Sequence, residues 1–283
     1  MSNIRIVADS TCDLPKDLLE KYNISIIPLC IVMGDESYYD GIETTPDEIY
    51  AWADENKTTP KTAAISMDKA EDVFKPFMEA GDDIIFFGIS SEMSTTCNVA
   101  RIVGEDNDYD KLHIIDSRSL STGIGLQVLR AAEMVEAGMS AEDIVEEINE
   151  ARGKVCASFV VDTLTYLARG GRCTAATALV ANTLKLHPEI VVRDGKMGVN
   201  KKYRGSLDSA LLKYAKELQM DMLQADPKRV FITHSGCSQE TIDKVYQFVK
   251  EMEYFEEIII ARAGGVISSH CGPGTLGVLF YAK

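Results

Sequence analysis

The stretch DIIFFGISSEMSTTCNVARIVGEDNDYDKLHIIDSRSLSTGIGLQVLRAAEMVE, residues 83–136, decides the fold. Residues 83–89 and 112–116 are short apolar runs, each leading into a serine-rich turn. Their length and their Ile and Phe content predict buried strands. Thr122 opens an apolar pattern that predicts a helix over 122–136, and a second helix follows over 140–151. Upstream, residues 4–8 read as another buried strand. Ser10-Thr11-Cys12-Asp13 then shows a capping pattern ahead of a helix over 15–22. Residues 24–33 read as one strand bulged at Pro28. Thr45-Pro46-Asp47-Glu48 is a helix start, with a capping Thr, Pro in the first turn and Glu three residues after the cap. Ser66 caps the next helix, which Pro76 kinks. This β-α rhythm predicts a mostly parallel sheet flanked by helices.

Downstream the pattern is mixed. Residues 156–161 read as a strand and 163–168 as a short helix ended by Gly170-Gly171, with Arg172 on the surface. Residues 175–186 read as a helix that is apolar all round. Asp194-Gly195 predicts a hairpin turn between strands at 190–193 and 196–199. A helix over 206–222, strands at 229–233, 257–261 and 276–282, and a helix over 239–251 complete the reading. The expectation is an α/β protein of two domains. Residues 1–154 form the parallel unit and 155–283 a mixed α/β unit.

The 283 residues are 46% hydrophobic and 26% charged, the composition of a globular chain. Twenty-nine Lys and Arg against 44 Asp and Glu give a net charge of −15. That argues against a nucleic-acid partner, which needs a basic face, and against a polybasic membrane anchor. An anionic ligand held by a few local donors remains compatible. The opening residues lack a signal-peptide pattern, and no apolar run approaches a transmembrane span, so a cytoplasmic location is expected. The seven cysteines show no CxxC and read as reduced thiols, and no metal-ligand spacing is present.

Gly272-Pro273-Gly274-Thr275-Leu276-Gly277 matches GxGxxG but leads into a strand, not the helix that a dinucleotide site requires. Neither GxxxxGK[ST] nor GxSxG occurs. Of the four histidines, His113 reads as a structural strand residue and His187 as a helix-end residue. His234 closes a strand at the carboxyl edge of a sheet, where ligands bind. His270 sits in a glycine- and proline-rich stretch and reads equally as functional or structural. Hydroxyl clusters follow the strands at Asp9-Ser10-Thr11, Ser90-Ser91 with Ser94-Thr95-Thr96, and Asp116-Ser117 with Ser119. A further cluster is Thr58-Thr59-Pro60-Lys61-Thr62. Such residues are ordinary helix caps, and gathered at one sheet edge they also form an anion site. Arg204 lies in a basic cluster that reads as a solvated turn. Two functions stay open on these residues: a Ser/His-dependent hydrolase or phosphotransferase using Ser94, His234 or His270, and a sensor of a small anion.

Across the whole chain these residues resemble the DegV family of fatty-acid-binding proteins. The resemblance is carried by Asp9-Ser10-Thr11-Cys12-Asp13-Leu14, Tyr39-Asp40-Gly41, Ser90-Ser91-Glu92-Met93-Ser94 and Asp116-Ser117 with Gly123. Most specific is Leu164-Thr165-Tyr166-Leu167-Ala168-Arg169-Gly170-Gly171-Arg172, and His270-Cys271-Gly272-Pro273-Gly274 closes the set. The resemblance implies a long-chain fatty acid as ligand, with no cofactor, in a tunnel between the two domains. It implies that Thr62 and Ser94 hold the carboxylate, assisted by backbone amides at Thr95, with His270 and Arg204 near the head group. Residues 175–186 would then meet the lipid. It implies further that Arg172 presents the ligand to a separate ATP-dependent fatty acid kinase, that this chain is the lipid-binding subunit with no catalysis of its own, and that membrane contact is transient. Two segments depart from the family pattern. Ala63-Ala64-Ile65 replaces S-Q-P after Thr62, and Thr95-Thr96-Cys97 replaces G-T-Y after Ser94, which implies a head-group site of its own shape.

Overall fold

A computed structural model of the chain describes residues 3–179 and 186–283. Its first half runs through β1 (Ile4–Asp9), a 3-10 turn (Ser10–Cys12), α1 (Lys16–Lys21), β2 (Ser25–Ile27), β3 (Cys30–Met33), β4 (Glu36–Tyr39), α2 (Pro46–Asn56), β5 (Lys61–Ala63), α3 (Met67–Ala80), β6 (Asp83–Gly88), α4 (Thr96–Asp106), β7 (Leu112–Asp116), α5 (Thr122–Glu136) and α6 (Ala141–Ala151). Four strands form an all-parallel sheet in the order β2-β1-β6-β7. Central β1 and β6 are buried as expected, whereas β2 and β7 are edge strands and only partly buried, which corrects the reading of residues 112–116 as a buried strand. The carboxyl ends of the strands carry the hydroxyl-rich turns to one edge.

The expected strand over 24–33 is two strands. Pro28 cannot donate to a ladder, and the chain turns there, so that β2 joins the parallel sheet while β3 enters a separate antiparallel sheet, β4-β3-β5. The Ser10 capping pattern is not used by α1. Pro15 precedes that helix without a side-chain cap, and Asp13, at φ 51°, is buried elsewhere. The capping box at Thr45 and the Ser66 cap form as expected. The helix at α3 continues through Pro76. Helix α4 and strands β4 and β5 were not foreseen.

The second half comprises β8 (Val155–Val160), α7 (Thr165–Gly170), α8 (Thr174–Leu179), β9 (Leu186–Arg193), β10 (Lys196–Arg204), α9 (Leu207–Glu217), α10 (Gln219–Met222), β11 (Ala225–Ser235), α11 (Gln239–Lys250), β12 (Glu257–Arg262), α12 (Gly265–Cys271) and β13 (Thr275–Ala282). The six-stranded sheet has the order β10-β9-β8-β13-β11-β12, antiparallel except for the β11–β12 pair. Asp194 (φ 50°) and Gly195 (φ 79°) make the two-residue turn of the β9–β10 hairpin, both positions left-handed as such a turn demands. Of the apolar stretch 175–186, residues 175–179 are helical in α8, residues 180–185 lie outside the described residues, and Leu186 opens β9. His187 is therefore a buried strand residue, not a helix end, with Nδ1 3.2 Å from Asp162. The helix expected over 206–222 breaks at Leu218 into α9 and α10. Of the glycine- and proline-rich stretch 268–274, residues 268–271 are helical and belong to α12.

Helix α5 ties the two sheets together. Ten of its fifteen residues are buried, and it packs against β1 and β6 on one side and β8 and β13 on the other. One apolar cluster accordingly includes Ile85, Phe87 and Ile124 together with Phe159, Ile190, Phe231 and Leu279. Among the described residues, no helix is long and apolar enough to cross a membrane.

Candidate ligand-binding cleft

The parallel sheet reverses its winding between β1 and β6, where a crevice opens outside the carboxyl ends of the strands. The turn after β6 supplies Met93 and Ser94, and the turn after β7 supplies Leu120. Helix α12 closes the crevice from the side of the six-stranded sheet, packed against α2 and α7. The resulting cleft is narrow, with a cavity volume of about 40 Å³. Leu29, Ile89, Met93, Leu120, Met197 and Ile267 make its apolar walls, and Thr62, Ser94, Arg172 and His270 supply the polar groups. A second, smaller cavity of about 20 Å³ lies behind α12. It shares Leu120, Ile267 and Cys271 with the first and adds Phe159, Ala263 and Leu279.

His270 is 9% exposed, and its Nε2 lies 2.7 Å from Thr62 Oγ1. Burial pushes the imidazole pKa down to about 4, with the nearby Arg172 charge adding to the effect. The ring is neutral at pH 7. Its Nδ1 has no hydrogen-bond partner among the described residues. Placing the ring proton on Nδ1 would bury an unpaired N–H, at a cost of about 1–3 kcal/mol. The proton on Nε2 avoids that cost. Nε2–H then donates to Thr62 Oγ1, and the Thr62 hydroxyl keeps its own hydrogen free to donate into the cleft. The Gly170-Gly171 pair divides two tasks. Gly170 passes against the His270 ring, and Gly171, at φ 70°, ends α7 in the left-handed conformation.

Ser94 is half-buried. It accepts from the Thr96 backbone N–H at 3.3 Å, and its Oγ lies 2.9 Å from Thr96 Oγ1. It therefore stands at the amino end of the eleven-residue α4, where free N–H groups favour an anion. Arg172 is exposed and donates to the Gly170 carbonyl at 2.8 Å, leaving part of its guanidinium at the mouth. Thr95 occupies the cap position of α4 without a side-chain cap bond and is exposed. Arg204 closes β10, exposed, and lines neither cavity. The structure thus brings Thr62, Ser94, Arg172 and His270 together and leaves the side chains of Thr95 and Arg204 outside the walls. His234 lines the second cavity. Met93 and Met197 were missed as walls, because nothing local marks residues that meet only in the folded chain.

Among the described residues His270 bonds Thr62, not Ser94, and its Nδ1 has no carboxylate partner. At the opposite, amino edge of the parallel sheet, Asp83, His113 and Glu142 bring one donor atom each within 4.8 Å of one another.

A family description for DegV proteins, given as uncharacterised, matches residues 3–283. A DegV domain-containing protein of Clostridium perfringens is 37% identical over 287 residues, covering 100% of this chain and 99% of that protein. One from Caldanaerobacter subterraneus is 30% identical, covering 100% of both. Among solved structures, a DegV family protein from Thermus thermophilus, described by its fatty acid binding, superposes with a TM-score of 0.91 at 29% identity, covering 99% of this chain and 100% of that one. A stearic acid-binding protein from Eubacterium ventriosum superposes at 0.85 with 29% identity, covering 100% and 99%. With its α/β architecture and its motifs spanning the whole length, the chain belongs to the DegV family.

Proposed function

We propose that the cleft binds a long-chain fatty acid, with its carboxylate on Thr62, Ser94 and the amino end of α4 and its chain in the apolar space toward and behind α12. The observation that carries this reading is a hydroxyl donor, Thr62 backed by neutral His270, at the head of a cleft whose walls, apart from Ser94 and Arg172, are largely apolar. The fatty-acid-binding descriptions of the Thermus and Eubacterium proteins support it. The roughly fifteen apolar carbons of a sixteen-carbon acid bring about 12 kcal/mol of gross burial at about 0.8 kcal/mol per group. Lost freedom on binding removes several kcal/mol of that. Each hydrogen bond to the carboxylate adds about 1.5–3 kcal/mol, so the tail supplies affinity and the hydroxyls orientation. The apolar residues that line the cleft and the cavity behind α12 suit a lipid better than a small polar anion, and the narrow space widens to take the tail.

In the same reading residues 1–154 and 155–283 act as two units with the lipid between them, and the protein works in the cytoplasm without catalysis of its own. It presents the carboxylate to a separate ATP-dependent kinase, and exposed Arg172 faces that partner. Arg172→Ala then leaves fatty-acid affinity intact and lowers acyl-phosphate yield when kinase and ATP are supplied. Normal yield removes the residue from that role.

The test of binding is the double variant Thr62→Ala/Ser94→Ala, titrated with hexadecanoic acid beside a melting curve. The expected outcome is a loss of tenfold or more in affinity, the equivalent of about 1.4 kcal/mol or more, with the fold intact. Unchanged affinity refutes the placement, and mass spectrometry of purified protein without a bound acid weighs against the ligand class.

A further inference from the structure

Helix α12 begins at Gly264, which has no side chain to cap it. Its first N–H groups are taken by carboxylates from far along the chain. Gly264 N–H donates to Asp13 Oδ1 at 2.8 Å, and Gly265 N–H to Asp40 Oδ1 at 2.7 Å. The other carboxylate oxygens accept from Ser121 at 2.5 Å and Ser10 at 2.8 Å. Beside them Asp9 accepts the Thr11 N–H at 2.9 Å and the Ile89 N–H at 2.7 Å. The three carboxylates are 0–8% exposed, and none is paired with Lys or Arg among the described residues. Hydroxyl and amide donors alone hold them. Buried acids without a cation cost stability, so a well-fitted donor set is the condition for keeping them there.

The helix is pressed onto this cluster. A Cβ on Gly265 would lie 2.6 Å from Ile31 Cδ1 and 2.8 Å from Asp40 Oδ1. All seven residues of α12 are buried, and His270 lies five residues after Gly265. At 1.5 Å per residue that is about 7–8 Å along the axis. A shift at the start of so short and enclosed a helix moves the ring at its end. Asp9 meanwhile ties the turn after β6, which carries Ser94.

We infer that Asp13 and Asp40 are positioning residues for the carboxylate end of the cleft: they fix the amino end of α12 and through it the His270–Thr62 pair. The inference rests on the fatty-acid reading above and concerns selection of a carboxylate over a neutral head group, leaving tail affinity untouched.

The experiment is calorimetric titration of wild type and Asp40→Asn with dodecanoic acid and with 1-dodecanol. It is paired with an NMR titration of the His270 ring in the free protein. Asn keeps the shape but removes the charge that holds Gly265 N–H and Ser10. The expected result is about a tenfold weaker acid, a loss near 1.4 kcal/mol. Alcohol binding should stay within about twofold, and the His270 midpoint should rise as the ring loosens. Equal losses for acid and alcohol, or no change in either, overturn the inference. Should Asp40→Asn fail to fold, Ser10→Ala keeps the carboxylate and removes one donor, and an unmoved acid-to-alcohol ratio there is equally fatal. If the wild type itself does not prefer the acid, the fatty-acid reading fails. The ring titration still decides the positioning role, because an unshifted His270 in the variant ends it.

Discussion

A Cβ on Gly170 would lie 2.1 Å from His270 Nδ1 and 2.8 Å from Cε1, far inside van der Waals contact. Gly170→Ala must therefore push the imidazole off Thr62 or open α7. The expected outcome is a stability loss of about 1–3 kcal/mol from overpacking, with weaker binding of hexadecanoic acid. Gly171→Ala strains a left-handed position without touching the ring, so it costs stability and leaves affinity unchanged. Urea denaturation and titration of both variants check this, and equal effects on affinity would refute the distinction. The Gly-Gly-Arg sequence was readable as a helix end, but the reason for its first glycine was not. The ring that excludes a methyl group there lies one hundred residues further on.

Among the elements, α12 is the case where local sequence misleads. Gly264, Gly265, Val266 and Ile267 are poor helix formers, and the helix forms because Asp13 and Asp40 accept its first N–H groups from 251 and 225 residues away. By contrast α2 announces itself, since Thr45 and Glu48 cap it from within. β5 is three residues long and exists by pairing with β3. The titration of α12's two ends runs in opposite senses. At its amino end, burial raises Asp9 to about 6 and also raises Asp13 and Asp40. The folded state then binds protons more readily than the unfolded chain, and acidification from pH 6 toward 4 stabilises. At its carboxyl end His270 is lowered to about 4, so the unfolded chain, with an ordinary value near 6.5, binds the extra proton. That contribution is lost as pH falls from 6.5 to 4. The stability difference between wild type and His270→Gln should therefore fall by about 2–3 kcal/mol across that window. Denaturant curves at pH 7, 6, 5 and 4.5 measure it, and parallel curves would show that His270 is not buried in its neutral form.

At the scale of the whole molecule, the two halves are held by shared core and by a latch. Ser90 donates to the Gly195 carbonyl at 2.8 Å, Lys196 lies 3.2 Å from Glu92, and Arg118 lies 3.6 Å from Asp194. The hairpin tip thus rests on the serine turns of the parallel sheet. Because α5 is buried against both sheets, a fragment of residues 1–154 would expose one of its apolar faces. The expected outcome is a broad, non-cooperative melt of the fragment by circular dichroism, where the full chain melts in one step. A sharp fragment transition would show the first half to be self-sufficient. The two-part pattern was legible in the sequence, from parallel rhythm to mixed strands. The shared core was not, since periodicity assigns α5 an apolar face without saying how many sheets will cover it. The sheet order carries a further consequence for how the protein is made. β13 lies between β8 and β11, so β8 waits for a partner 120 residues downstream. At ribosomal speeds of 5–20 residues per second that wait is roughly 6–24 s. For that time the nascent chain carries an unpaired edge bearing Phe159 and Val160. The β13-facing edge of β8 is therefore covered late in translation, while its other edge pairs early with β9.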